Sequence, residues 1–582
     1  MQHFRFIPVN ESSLLISFGD VIHEEVHAHV MKAKAVIEAN PFPGFVETVP
    51  AYTSLSVYYN PVEVEKKNET VTETVLQTLQ QLLEPDFAEQ ITPTGTLVEL
   101  PVCYDHHLAP DLTASAESLN LSVEELITIH SGKTYKVFMI GFTPGFPYMG
   151  TVDERIFTQR KIQPRLKVEP GSVAVAGNQT GIYPFATPGG WNIIGRTPLL
   201  LFDRNRSNPF LLKAGDEVKF KSITKDEFEK YDTSDSFVGR DTQNVINRPT
   251  KASDEKKQIL HIEQCGFLTT LQDTGRSNYL QFGVSKGGAM DVHAAQLANT
   301  LIGNETTAAV LEITQSPHRF RFIRDTLLAF TGGGLQPQLQ ETLLPINQPL
   351  FIPAGTSVEC KQQLPGFRLY MAVAGGFEAE QFLNSYSTDL LVKAGGYQGR
   401  ALRKEDVLMQ HNELTILQQR LLKVLKAGAL VEINHELPTT TSNRIRVLPG
   451  VEWNYLDDTS AQLFSQTSFT IGPQSSRMGY RLNEKILKPG RACEIISSPV
   501  TQGSIQLTPS GEMIILMADA QTVGGYPRIA QVCSVDLSLL AQKKPGDKIQ
   551  FQIVSLQEAE QLYMKRVDDL KRVKEVLQSV IK

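Results

Sequence analysis

Residues 1–92 alternate short apolar runs with segments whose apolar positions recur at helical spacing. Ser13–Phe18 (SLLISF) predicts a strand, Val21–Glu38 a helix, Leu55–Tyr59 (LSVYY) a second strand and Val71–Leu83 a second helix. That order predicts a small α+β layer. Over residues 93–232 the texture changes to short β-rich runs punctuated by Gly and Pro, with one helical segment at Ser122–Ser131. Ser122 and Glu125 give that segment a capping-box start. Many short strands with turn signals between them predict a barrel or compact sandwich. Asp232–Lys257 is polar and nearly free of large apolar residues, which marks 233–257 as a linker. A second β-rich region, 258–440, contains one clear helix at Ala289–Ile302. A polar seam at Pro438–Asn443 precedes a third β-rich block over 441–555, and 556–582 is an amphipathic, charge-laced helix suited to packing on a surface.

Two distant segments match in order. The first runs Pro170–Ala176 (PGSVAVA), Gln179-Thr180-Gly181-Ile182-Tyr183-Pro184, then Ala214–Phe220 (AGDEVKF). The second runs Ser510–Leu516 (SGEMIIL), Gln521-Thr522-Val523-Gly524-Gly525-Tyr526-Pro527, then Pro545–Phe551 (PGDKIQF). Each Gly-Asp pair is a turn into a closing strand. Kept in order behind a Gln-Thr…Tyr-Pro loop, these features predict two copies of one barrel-like domain, with a site between the copies or in each mouth.

The chain has 582 residues, more than one core supports. Its net charge of -7 offers no footprint for nucleic acid or an anionic membrane. Five scattered cysteines without a CxxC pair argue against a disulfide framework or a zinc site and fit a reducing compartment. The start, MQHFRFIPVNESSLL, lacks a basic region followed by an apolar one, and no apolar run approaches the ~20 residues of a spanning helix. These features predict a soluble, cytoplasmic protein.

The densest chemistry lies in Gly141–Gly150 (GFTPGFPYMG), where Phe142, Phe146 and Tyr148 stand among prolines and glycines as a stiff wall. Thr187–Thr197 (TPGGWNIIGRT) adds Trp191 as a flat floor and Arg196, whose planar fork suits a carboxylate, a phosphate or a structural ion pair. In the second half Gln272–Arg276 (QDTGR) brings Arg276, and Gly287–Asp291 (GGAMD) leads into a helix, with Asp291 read first as its cap. Ser475–Arg481 (SSRMGYR) sets Arg477 and Arg481 around a glycine. His23 and His27 share a helix face, but no third ligand is in sight, so no metal is expected. Neither GxxxxGK[ST] nor GxGxxG occurs. Arg, Gln, Asp, Tyr and Trp without Cys or His favour orientation and charge stabilisation over covalent catalysis.

GFTPGFPYMG followed by RKIQPRLKVEPGSVAVAGNQTGIYPFATPGGWNIIGRTP resembles the signature of KipI, the 5-oxoprolinase B subunit. QDTGRSNYLQFGVSKGGAMDVHAAQLANTLIGNE, SSRMGYRL, Ile505-Gln506 and DAQTVGGYPRIAQVCSVDL resemble the signature of KipA, the 5-oxoprolinase C subunit. Both are similar to the carboxyltransferase domain of urea carboxylase. The resemblance implies two cyclophilin-like β-barrel domains in a fused two-half chain, mainly β with an α+β N-terminal domain. Asn10-Glu11, Thr331-Gly332-Gly333-Gly334 and Asn384-Ser385-Tyr386-Ser387-Thr388 depart from the family pattern. It further implies a component of ATP-dependent 5-oxoprolinase, with Mg-ATP as co-substrate and a separate LamB/YcsF-type A subunit as partner. The alternatives are a biotin-dependent amide carboxyltransferase and a KipI-type regulator of a histidine kinase. Gln179, Thr180, Tyr183, Gln521, Thr522 and Tyr526 are expected to bind the small amide substrate, beside the wall of Phe142, Phe146, Tyr148 and Trp191. Arg196, Arg276, Arg477, Arg481 and Asp291 are expected to serve catalysis. Assembly as a homo-oligomer is left open.

Overall fold

The computed structural model describes residues 4–65, 70–83, 95–231, 246–247, 255–362, 364–431, 433, 442–488 and 495–580. The N-terminal layer is a four-stranded antiparallel sheet in the order Arg5–Asn10, Ser13–Ser17, Ser54–Tyr59, Phe45–Pro50. Helices Glu24–Ala39 and Val71–Leu82 cover it, burying Leu14, Ile16, Leu55 and Val57 against Val30, Ile37, Val75 and Leu79. Two of the four strands escape the hydrophobic pattern. Register shifts fall between Pro8 and Asn10 and between Phe45 and Glu47, which interrupt the period-2 alternation that would announce them.

Seven strands then close into a barrel: Pro147–Gly150, Gln179–Ile182, Ser172–Ala176, Asn192–Arg196, Leu97–Cys103, Glu217–Ile223 and Thr134–Ile140. Val102, Val137, Met149, Val173, Val175 and Ile182 fill its interior. Helix Val123–Gly132 packs beside it behind the expected capping box of Ser122 and Glu125. A shorter helix, Leu112–Ser118, precedes it without a side-chain cap bond.

The second half repeats this sheet order with Gly479–Arg481, Met513–Leu516, Ser504–Leu507, Arg528–Val532, Arg444–Pro449, Lys548–Ile553 and Phe469–Thr470. Each copy holds one parallel pair, Leu97–Cys103 with Glu217–Ile223 and Arg444–Pro449 with Lys548–Ile553. An Ile471–Leu482 bridge joins the two end strands of the second copy. Asp216 and Asp547 tie the closing turns alike, accepting from the Lys213 and Lys544 amides at 3.0 and 2.9 Å.

The duplication is therefore real, but its expected alignment is corrected. Ser172–Ala176 corresponds in the sheet order to Ser504–Leu507, and Gln179–Ile182 to Met513–Leu516. Gln179 and Thr180 begin a barrel strand, whereas Gln521 and Thr522 lie in the loop after one. The Gln-Thr letters of the two copies stand one strand out of step, because Gly-rich turns recur at each hairpin. The counterpart of the Gly141–Phe146 loop is the Gly472–Met478 loop, which carries Arg477.

Between the barrels, a six-stranded and a five-stranded sheet enclose Leu260, Leu271, Ile313, Phe320, Phe330, Val358 and Met371. Helix Val292–Leu301 lies on the other side of the five-stranded sheet. Val573 and Leu577 of the last helix, Leu556–Val580, join its core. Of the expected linker, 246–247 and 255–257 are described; Ile246–Asn247 pairs with Gln381–Phe382. The rest of it, with much of the 438–443 seam, lies outside the described residues.

Candidate functional site

Three loops meet where the halves join. The Gly145 amide donates to the Phe282 carbonyl at 2.9 Å, and Ile140 bridges Phe282 in parallel. Phe282 also stacks on Phe210 at 4.3 Å. From the far barrel, Val523 packs with Tyr52, Phe138, Met139 and Tyr148. A β-carbon on Gly141 would lie 2.0 Å from Val523 Cγ2, so only glycine lets the two backbones approach this closely.

The expected wall assembles on the outer face of the first barrel. Phe146 sits 4.8 Å from Tyr148, 5.1 Å from Tyr183, 5.6 Å from Phe142 and 5.7 Å from Trp191, ring to ring. Gly181 is open for the same purpose: a β-carbon there would touch Trp191 at 3.0 Å and Phe146 at 3.2 Å. Gln179 shares the outward face with Gly181 by strand alternation. Arg160, absent from the expected set, stands 5.9 Å over the Trp191 ring. Burial raises the hydroxyl pKa of Tyr52, Tyr148 and Tyr183, the last to about 12, while Arg160 opposes all three shifts.

Thr180 faces the other way. Its hydroxyl donates to the Ala174 carbonyl and meets His130 Nε2 at 3.0 Å, and His130 Nδ1 meets Tyr104 Oη at 2.9 Å. Desolvation lowers the His130 pKa to about 3, so this is a neutral chain inside the barrel.

An ionic floor lies beneath the loops of the second half. Arg477 donates to Asp519 through Nε and Nη2, to the Gly288 carbonyl and to Glu312. Glu312 also accepts from the Met290 amide and the Tyr370 hydroxyl. Arg276 is buried, gives its Nη2 to the Ser387 carbonyl and lies 3.9 Å from Asp389. Its Nε and Nη1 have no hydrogen-bond partner among the described residues. A β-carbon on Gly287 would stand 2.7 Å from Arg276 Nη1 and 4.0 Å from Asp519 Oδ1, so that glycine keeps the space between them open. Lys286 is open to solvent yet ringed by protein, which lowers its ammonium pKa against the pull of Glu47. Glu47 reaches across from the N-terminal sheet to accept from the Asn278 and Leu280 amides at 2.8 and 3.0 Å.

The remaining expected residues lie elsewhere. Arg196 donates to the Pro170 carbonyl, and Arg481 pairs with Glu512. Asp291 caps helix Val292–Leu301 through the Ala294 amide and accepts from Gln542. Tyr526 is exposed at the rim. Sequence reasoning missed Glu47, Tyr52, Arg160, Lys286, Asp389 and Asp519. Arg160, Lys286 and Asp519 stand inside quoted motifs, whereas Glu47, Tyr52 and Asp389 carry no local signal. In the departing segment Asn384–Thr388, the Ser385 and Ser387 hydroxyls and the Tyr386 amide hold Asp273.

Fold and junction together define a carboxyltransferase-domain protein. Residues 4–212 match the family described as carboxyltransferase domain, subdomain C and D, and 282–553 match subdomain A and B. The chain is 43% identical to the 5-oxoprolinase B subunit of Bacillus subtilis over 38% of this chain and 94% of that protein. It is 37% identical to the 5-oxoprolinase C subunit of Escherichia coli over 52% of this chain and 93% of that protein. The solved structure of TTHA0988 superposes with a TM-score of 0.76 at 30% identity, covering 93% of this chain and 99% of that one. Urea amidolyase of Lachancea kluyveri is 29% identical over 62% of this chain and 20% of its own length. The chain belongs to the family of 5-oxoprolinase B and C subunits, with both fused in one polypeptide.

Proposed function

We propose that the chain is the fused B/C component of an ATP-dependent 5-oxoprolinase. The reaction takes 5-oxoproline, ATP and water to glutamate, ADP and phosphate, with a separate LamB/YcsF-type A subunit. The observation that carries this reading is that one half matches the B subunit and the other the C subunit, each over more than nine-tenths of the relative's length. A lactam is unreactive because amide resonance must be broken, so its opening needs an oriented ring and cations for a developing oxyanion. Arg276, buried with two nitrogens that make no hydrogen bond among the described residues, and solvent-open Lys286 suit that charge or an anionic group of Mg-ATP. Arg477 is fully engaged and acts as a positioning residue for the loop that carries Gln521 and Thr522. The engaged polar atoms of Thr180, Arg196, Arg481 and Asp291 favour structural roles for them. Among the described residues no helix is long and apolar enough to cross a membrane, and the free cysteines suit a cytoplasmic setting.

The test is reconstitution with the A subunit, measuring glutamate release from 5-oxoproline with and without ATP. ATP-dependent release supports the reading, and its absence from the full complex rejects it. The match to urea amidolyase across both halves supports one second reading, transfer of a carboxyl group from carboxybiotin to an amide nitrogen. Carboxylation of an amide in the presence of a biotin carboxylase and biotinyl carrier would establish that reading instead.

A further inference from the structure

Gln506 lies on the strand Ser504–Leu507, between Ile505 and Leu507, which point into the second barrel's core. Alternation therefore turns the Gln506 carboxamide outward. It is nevertheless 2% exposed, and its Nε2 has no hydrogen-bond partner among the described residues. Two buried hydroxyls share this condition, Thr522 Oγ1 and Ser498 Oγ. All three surround one short ladder: Ser498 pairs with Gly524, Pro499 with Val523, and the Val500 amide donates to the Thr522 carbonyl. A β-carbon on Gly524 would fall 2.6 Å from Gln506 Nε2 and 3.0 Å from Gln521 Nε2, so both carboxamides lie against the same stretch of Gly524 backbone. The roof comes from the other half, where Ser54–Tyr59 packs on Ser498–Pro499 and the Tyr58 hydroxyl donates to the Val500 carbonyl.

A buried polar group without a partner is costly, and three beside one short ladder form a set that a ligand can complete. The charge of the surroundings selects that ligand. Arg528, paired with Gln506 across the ladder, gives Nε and Nη2 to Glu452 and Nη1 to the Pro499 carbonyl. Its charge is balanced and its donors are used, so an anion entering here would be desolvated without a counter-ion. A neutral carbonyl next to an N–H fits instead: a carboxamide donates to the carbonyl oxygen, and a hydroxyl accepts from the N–H.

We propose that Gln506, Ser498 and Thr522, with Gln521, form the subsite that reads the neutral –C(=O)–NH– group of a lactam or urea-type substrate. This inference rests on the proposed amide-activating function and moves amide recognition to the second barrel, away from Gln179 and Thr180. The subsite lies under the N-terminal sheet, so it is completed by both halves and is absent from either half alone.

The experiment titrates the full-length chain with 2-pyrrolidinone, a neutral lactam without a carboxylate, by ligand-observed NMR. L-Proline serves as the probe that lacks the amide. Gln506→Leu is expected to weaken 2-pyrrolidinone binding about tenfold, the loss of one hydrogen bond to a buried group. Ser498→Ala and Thr522→Val, each removing one hydroxyl, are expected to weaken it several-fold with unchanged melting temperatures, and they carry the test if Gln506→Leu does not fold. Failure of 2-pyrrolidinone to bind the unaltered chain, or equal binding by folded variants, overturns the subsite. Glutamate release from 5-oxoproline in the reconstituted complex separates the two ideas. Lactam binding lost in the variants without 5-oxoproline turnover keeps the subsite and rejects the oxoprolinase reading. Turnover with an unchanged KM in all three variants does the reverse.

Discussion

Arg477 and Asp519 face each other in a two-bonded ion pair, Nε to Oδ2 at 2.8 Å and Nη2 to Oδ1 at 3.0 Å. The pair fastens the Gly472–Met478 loop to the loop that carries Gln521 and Thr522. Through Glu312 it continues into the central sandwich, so one guanidinium joins two domains. Arg477→Met removes the nearer cation of buried Glu312, leaving Arg368 at 4.0 Å, and also frees Asp519, so a loss of about 3 kcal/mol is expected. Arg477→Lys should recover only part of it, because an ammonium cannot reproduce the planar fork. Guanidinium-chloride unfolding of the two variants checks this; equal stability to the unaltered chain would reject the account.

The halves approach each other tightly at Gly141 and Val523. Gly141→Ala should displace the Val523 loop and cost about 1–3 kcal/mol, as overpacking does. Val523→Ala removes the γ-carbons at 2.0 and 3.1 Å, so the double variant should lose less than the sum of the singles. A double-mutant cycle measured by thermal unfolding reads the coupling, and additivity would mean that the two sites do not touch.

The last helix fastens the first domain. Glu560 accepts from the Val71 and Thr72 amides at 3.0 and 2.9 Å and from the Thr72 hydroxyl at 2.6 Å, at the N-terminus of helix Val71–Leu82. Glu560→Ala should destabilise that end by about 1–3 kcal/mol, through unmet donors and the lost charge at the helix start. Hydrogen exchange should quicken over Val71–Leu82 and not over the strands of the first barrel.

Glu47 gives the junction a pH dependence. Burial raises its carboxyl pKa from 4.5 to about 7, against the pull of the Asn278 and Leu280 amides and of Lys286. Between those values the folded chain holds more proton than the unfolded one, so this group's contribution to stability falls as pH rises from 4.5 towards 7. The full change is about 3 kcal/mol at 1.36 kcal/mol per unit. Buried His27 and His130, lowered to about 4 and about 3, act in the opposite sense and destabilise the fold as pH falls below 6.5. Subtracting the unfolding free energies of Glu47→Gln from those of the unaltered chain across pH 4.5–7.5 isolates the Glu47 slope. A flat difference would show that the carboxyl titrates normally.

The amino-acid sequence by itself determined what depends on near neighbours and on short-period patterns. Apolar spacing located helices Glu24–Ala39, Val71–Leu82 and Val123–Gly132, because a helix's buried face recurs within one turn. The Gly-Asp turns and the ordered β-runs announced a duplicated barrel. Clustered aromatics grouped Phe142, Phe146, Tyr148 and Trp191 as one wall, since stiff Gly/Pro segments hold their rings, and the structure added Tyr183 to it. Only the tertiary structure decided which polar residues are engaged and which are left open. Thr180 and Thr522 belong to the same Gln-Thr letters, yet one hydroxyl bonds inside a barrel and the other is buried without a hydrogen-bond partner among the described residues. A one-strand slip separates them, because a sheet's pairings are non-local and similar turns punctuate every hairpin. Glu47, Asp389 and Asp519 gain their meaning from cations far away along the chain. Electrostatics acts through space, and no window of sequence contains that distance.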